Sequence, residues 1–207
     1  MGSIFSYDSP FMNTMRKALS LVWLNILTMV SSIPLVTIGA ALCAAYDCAV
    51  KIRTEEGSVT SNFWNAFRSS FKDGTICWLL FLVVAAVLIS GYQICVRIDL
   101  VAASVSKVLL VVEGILAVIL LIWVFPLVAT FQNKIWLTVK NALTLTIAFL
   151  PTTLLMLVLY VLPLILYLLV PPAFVLLPLF GISCPIYWNG PLYQKVFRKV
   201  ADLQEAD

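Results

Sequence analysis

Histidine is missing altogether from these 207 residues, and only 11% of them are charged. The first absence removes the commonest acid–base group and the commonest metal ligand. The second leaves the chain far below the roughly 25% charge content of an average soluble domain. Five cysteines, Cys43, Cys48, Cys77, Cys95 and Cys184, make an odd number without a CxxC pair, so neither a disulfide framework nor a metal site is expected. Nor does the sequence show a nucleophile beside a base, a glycine-rich phosphate loop or a metal-ligand cluster. It therefore predicts no catalytic residue and no cofactor, and the protein is not expected to be an enzyme. There is no basic stripe with interleaved aromatics outside the stretches that flank apolar runs, so nucleic acid is not an expected partner. The net charge of +3 is assigned to basic loops facing anionic lipid. No Ser/Gly linker or charge run divides the chain, which reads as one domain over residues 1–207.

What the chain has instead is apolar length. Hydrophobic residues make up 62%, and the uncharged intervals predict an all-α integral membrane bundle of about five spans, near residues 19–46, 75–96, 108–130, 143–170 and 173–193. Asp8-Ser9-Pro10 reads as a helix start, a capping side chain before Pro at the first helical position. Arg16 and Lys17 precede an interval, Ala18 to Tyr46, that is uncharged for 29 residues. That is too long for a signal-peptide core, so the segment is read as retained. Ser31-Ser32-Ile33-Pro34 must bend or break it. A hairpin there would leave arms of only about 14 residues, or about 21 Å, against a hydrocarbon core of about 30 Å. One kinked span is therefore preferred, with a re-entrant hairpin as the alternative. Gly39-Ala40-Ala41 and Cys43-Ala44-Ala45 offer a small-residue face to a neighbouring helix. Val170-Pro171-Pro172 reads as the turn between the last two spans, and Tyr187, Trp188 and Tyr193 as an aromatic belt at the exit.

The longest polar interval, Lys51 to Gly74, carries a second pattern. At 100° per residue from Phe63, Phe67 falls at about 40°, Phe71 at about 80° and Trp64 at about 100°. Arg68 and Lys72 fall on the opposite, polar face with Asn62, Asn65 and Ser69. This predicts a helix over 59–72 lying in the bilayer interface, with Gly57 as the turn before it and Ser58 or Thr60 as its N-cap. With five spans, nine basic residues share the side of this link and four, Arg16, Lys17, Arg97 and Lys107, face the other. The positive-inside rule makes the link and the C-terminus cytoplasmic. A hairpin in the first span would change the split to eleven against two.

Several stretches in order carry a resemblance: Met1-Gly2-Ser3-Ile4-Phe5-Ser6-Tyr7-Asp8-Ser9-Pro10, Ser32-Ile33-Pro34-Leu35-Val36-Thr37-Ile38-Gly39-Ala40, and Glu55-Glu56-Gly57 with Phe63 and Phe67 to Phe71. Phe125-Pro126-Leu127-Val128-Ala129 and Phe131-Gln132-Asn133 with Lys140-Asn141-Ala142-Leu143 complete the set. Together they resemble the YesL-like family of small bacterial multi-pass membrane proteins, a domain of unknown function. That resemblance implies a gene neighbourhood of binding-protein-dependent sugar importers and polysaccharide-degrading enzymes in Gram-positive bacteria, and so a role in saccharide uptake or its regulation.

Two polar residues inside apolar runs are candidates for function. Glu113 is the one acid within a predicted span, and an intramembrane ionisable group is a functional hypothesis by default. Its structural reading is an ion pair with Arg97 or Lys107. Asn25 could hydrogen-bond a sugar or, as single amides in spans more often do, bond a neighbouring helix or its own backbone. The expected function is a non-catalytic accessory or regulatory component of carbohydrate uptake, with the bilayer, an importer's membrane subunits or a second copy as partners. The competing expectation is an autonomous secondary carrier using Glu113 and the Pro-broken helices.

Overall fold

The computed structural model describes residues 10–97, 101–131, 134–169 and 177–205, and every regular element among them is helical. The helices are α1 Pro10–Ser31, α2 Ile38–Thr54, α3 Val59–Val96, α4 Val101–Thr130, α5 Ile135–Ala148, α6 Leu150–Leu169, the single turn α7 Leu177–Phe180, and α8 Ser183–Glu205. A 3-10 turn, Leu35–Thr37, joins α1 to α2. Leu35–Thr54, Val59–Val96 and Ala103–Thr130 are each long and apolar enough to cross a membrane, as is the bent pair Ile135–Ala148 and Leu150–Leu166.

The predicted first span is where the structure departs most from expectation. Residues 19–46 do not form one kinked crossing; the chain turns back on itself after Ser31 and α2 returns beside α1. Lys17, near the start of α1, donates to Glu55 just beyond the end of α2 at 3.0 Å, and Trp23 Nε1 donates to Thr60 Oγ1 at 2.9 Å. Both contacts require antiparallel helices. The break follows from Ile33-Pro34, since a residue before Pro is driven out of the α region. The Thr37 hydroxyl then sits within hydrogen-bond reach of the Ser31 and Pro34 carbonyls at 2.6 and 2.8 Å. The length objection to a hairpin fails because each arm extends beyond the uncharged interval. With its amphipathic start included, α1 has 22 residues, or about 33 Å. Arg16 and Lys17 thus lie with Lys51 and Arg53, not with Arg97 and Lys107.

A second difference concerns residues 59–72. They are not a separate element but the first part of α3, which continues through the predicted span 75–96 for 38 residues. Asp73-Gly74 carries no Pro, and Gly74 lies in helical conformation. The glycine there serves packing. A Cβ on Gly39 would overlap the Gly74 carbonyl oxygen and come within 2.6 Å of Trp78 Cβ, and a Cβ on Gly74 would meet the Gly39 carbonyl oxygen at 3.0 Å. Small residues of α2, Ala40, Ala41, Cys43, Ala44 and Ala45, are fully buried around this crossing, and Trp78 Nε1 closes it by donating to the Leu35 carbonyl at 2.8 Å. The turn between α2 and α3 is as the sequence predicts. Glu55 and Gly57 have φ of 60° and 64°, and the Ser58 side chain accepts from the Ser61 N–H at 3.4 Å.

The third span, predicted over 108–130, is the body of α4. The fourth, predicted over 143–170, is divided, with α5 and α6 meeting at 99°. Pro151 has no N–H to extend α5 and its ring excludes a helical carbonyl four residues earlier, while at the start of α6 the same residue is well accommodated. The fifth, 173–193, is not one apolar helix; α7 ends at Phe180 and α8 begins at Ser183. Asp8-Ser9, Asp99, Gln132-Asn133 and the Val170-Pro171-Pro172 turn lie outside the described residues. The core gathers Leu24, Tyr46, Phe63, Trp123, Met156, Ile186 and Tyr193 from α1, α2, α3, α4, α6 and α8. Tyr193 is therefore a core residue and not part of an exit belt; Trp188 is exposed, and Tyr187 is half-buried beneath Arg53.

Candidate functional site

The α1–α2 hairpin assembles one polar end. Asn13, Arg16 and Lys17 of α1, Lys51, Glu55, Glu56 and Gly57 at the end of α2, and Asn62 of α3 line a cleft of about 180 Å³. Its walls are internally paired. Lys51 donates to Asp47 at 2.6 Å one turn earlier, Lys17 to Glu55 at 3.0 Å, and Asn62 Nδ2 to the Glu56 carbonyl at 2.6 Å. Arg53 leans away from the cleft, donating to the Tyr187 carbonyl while its guanidinium lies 4.3 Å from the Tyr187 ring centre, so it ties α2 to α8.

Hydrogen bonds from Lys17 and then Asn13, with the Lys17 charge, hold the Glu55 carboxyl below its ordinary value of 4.5. A carboxylate whose folded pKa is depressed stabilises the fold above its ordinary value and loses that contribution as pH falls through the folded value. The clasp between α1 and the α2–α3 turn should therefore loosen only below pH 4.5, and more readily in high salt because both partners face water. Spin labels at the exposed Met15 and Glu56 should report the widening, and Glu55→Gln should remove its pH dependence.

The aromatic arc of α3 is present but unequal. Phe63 is fully buried in the core, Phe67 is half-buried, and Trp64 and Phe71 are 41% and 43% exposed. Ring centres of 63 and 64, 64 and 67, and 67 and 71 lie 5.9, 5.5 and 5.5 Å apart, a continuous run in edge-on contact. Arg68 and Lys72 are exposed. Phe63 thus anchors the helix in the core, leaving Trp64 and Phe71 as the outward-facing members of the predicted interfacial set.

Asn25 takes its structural reading. Fully buried on α1, its Nδ2 donates to the Pro178 carbonyl at 2.7 Å, and its Oδ1 accepts from the Ile182 and Ser183 N–H groups at 2.9 and 3.0 Å. These are the backbone groups left open where α7 stops and α8 starts. One amide in α1 thus satisfies a helix break more than 150 residues away. Glu113 differs from expectation. It is exposed on the outer face of α4, and among the described residues it forms no ion pair with Arg97 or Lys107. The clefts at 13–62 and at Ser90, Gln93, Ile94 and Arg97 do not include it.

A buried polar junction escaped the sequence reading. The Tyr46 and Tyr160 hydroxyls hydrogen-bond to each other, Tyr193 donates to the Tyr46 carbonyl at 3.4 Å, and Trp123 Nε1 donates to Thr153 Oγ1 at 3.0 Å. These bonds connect α2 to α6 and α8, and α4 to α6. Tyrosine inside an otherwise uncharged run was the available signal, since a buried hydroxyl requires a partner.

Fold and site together define an all-helical bundle with several helices long and apolar enough to cross a membrane. Residues 21–92 match the profile of a family described as "Protein of unknown function, DUF624", a stretch that takes in the second part of α1, the whole of α2 and nearly all of α3. No curated protein and no solved structure matches the chain.

Proposed function

We propose that this is a non-catalytic membrane protein of the YesL-like type that works by docking, as an accessory or regulatory component of carbohydrate uptake. The placement of Glu113 is the observation that carries the choice between docking and autonomous transport. A carrier needs its ionisable residue around a site inside the bundle, whereas Glu113 faces outward from α4. The polar end built from Arg16, Lys17, Lys51, Glu55 and Glu56 offers a partner a surface of mixed charge, and the small-residue crossing of α2 and α3 is already filled. The link to carbohydrate rests on the resemblance. By the positive-inside rule the end that gathers Arg16, Lys17, Lys51 and Arg53 faces the cytoplasm of a bacterial cell, as does the C-terminus by its own basic residues Lys195, Arg198 and Lys199.

Reconstitution separates the readings. Purified protein in liposomes should give no proton-coupled sugar flux, while solubilised membranes should yield it together with the membrane subunits of a sugar importer. Flux by the protein alone, abolished by Glu113→Gln, would overturn the docking assignment.

A further inference from the structure

Glu113 lies six residues inside Lys107, about 9 Å along the helix axis, in the stretch Ala103–Thr130 that is long and apolar enough to cross a membrane. Around it Val112, Ile115 and Leu116 are about half exposed. A carboxylate on such a surface is unfavourable toward hydrocarbon, and ionisable groups at this depth normally face protein or water. The single chain leaves this one without a partner among the described residues.

The register of α3 against α4 shows what lies beside it. A Cβ on Gly91 would meet Leu110 at 3.5 Å, and the Trp78 and Phe125 rings are 6.5 Å apart, so the helices run antiparallel with Glu113 level with Ile89 and Ser90. Taken at 100° per residue from the Gly91–Leu110 contact, Ser90 and Arg97 on α3 and Glu113 on α4 fall on the same side of the pair. Ser90 is about 160° around α3 from Gly74, which packs on α2. Ser90, Gln93 and Arg97 are exposed and line one shallow hollow. Ser90 and Gln93 make no side-chain hydrogen bond among the described residues. The outer face of α3 and α4 therefore holds an acceptor level with one neutral donor, Ser90, and a second, Gln93, about one turn further along α3, none of them engaged.

We propose that this face is the contact between two copies of the chain, related by a two-fold axis along the bilayer normal, with Glu113 of each copy accepting from Ser90 and Gln93 of the other. A two-fold in that direction preserves depth and presents the same patch to itself. The complementarity selects a second copy, because the two-fold brings the Glu113 acceptor of one chain against the α3 donors of the other at matching depth. Interhelical hydrogen bonds in a bilayer are individually modest, so the pair is reversible. The inference needs only the bilayer setting and is independent of any link to carbohydrate.

The test is single-molecule photobleaching of the full chain in liposomes of phosphatidylethanolamine and phosphatidylglycerol, over a dilution series. Wild type should show two-step traces that give way to single steps on dilution. Glu113→Leu, and separately Ser90→Ala with Gln93→Leu, should each weaken association about tenfold, and their combination should add little further. In a background with the native cysteines replaced, a Glu113→Cys copy should cross-link to a Ser90→Cys copy, which keeps the test intact if a leucine variant folds poorly. Single steps at every density, association indifferent to both sets of substitutions, or the absence of the 113-to-90 cross-link would each overturn the proposal.

Discussion

Replacing Gly39 by alanine should drive α2 away from α3 and lower the thermal unfolding midpoint in detergent more than an alanine at any neighbouring position of α2. The added methyl would overlap the Gly74 carbonyl oxygen and crowd Trp78 Cβ at 2.6 Å. The first obstacle is backbone, so no rotamer change relieves it. Overpacking of this kind costs about 1–3 kcal/mol and sometimes more, against a helix-propensity gain of at most about 1 kcal/mol from Gly to Ala. The loss wins. Gly74→Ala should be milder, because its Cβ would meet Gly39 O and Ala40 at 3.0 to 3.1 Å, a clash that a small shift relieves. Trp78, whose indole is fixed to the Leu35 carbonyl, supplies a fluorescence signal for the separation. Equal stability of Gly39→Ala and wild type would mean that the α2–α3 crossing is not as close as described.

Asn25→Leu is expected to be the second most damaging single change. It preserves volume but removes one donor and two acceptances, leaving the Pro178 carbonyl and the Ile182 and Ser183 N–H groups without Asn25. Three bonds at the roughly 0.6 kcal/mol average for interhelical bonds in a bilayer set a floor of about 2 kcal/mol. Buried groups left open raise the cost further, at about 1–3 kcal/mol each where water cannot reach them. Asn25→Asp should fall between, since it keeps the acceptor for two N–H groups and loses the donor to Pro178. Hydrogen exchange at Ile182 and Ser183 distinguishes this from a general loss of stability. These amides should lose protection selectively in the leucine variant, and unchanged protection would remove Asn25 from the role of helix-break cap.

Much of this architecture was legible in the residues. The small-residue face at Gly39 to Ala45, the turn at Gly57 with its Ser58 cap, the apolar body of α4 and the bonding role of Asn25 all follow from local chemistry. The hairpin of α1 and α2 is legible as an alternative, disfavoured by an estimate of arm length. That estimate counted only uncharged residues, while α1 begins at Pro10 and α2 runs through Arg53. Amphipathic ends add reach that an uncharged window does not measure. The continuity of α3 was hidden for the opposite reason. A shift from polar to apolar composition at Gly74 looks like a boundary, yet composition does not end a helix where neither Pro nor a left-handed residue intervenes. The uneven burial of the aromatic arc, with Phe63 inside and Trp64 and Phe71 outside, depends on where α2 packs, which periodicity along α3 alone does not specify. The Tyr46–Tyr160 bond joins residues 114 positions apart, beyond the reach of any local pattern.

The hairpin decides which residues share an end of the molecule, and cysteine accessibility tests it most directly. Single cysteines at Arg16, Glu56 and Arg97, placed in a background without the native five, can be probed in intact cells with a membrane-impermeant maleimide and again after permeabilisation. The chain folded as described predicts that positions 16 and 56 behave alike and that 97 behaves oppositely, since α3 separates the last two. Labelling that groups 16 with 97 and sets both against 56 would restore a single crossing for the first apolar interval and contradict the fold.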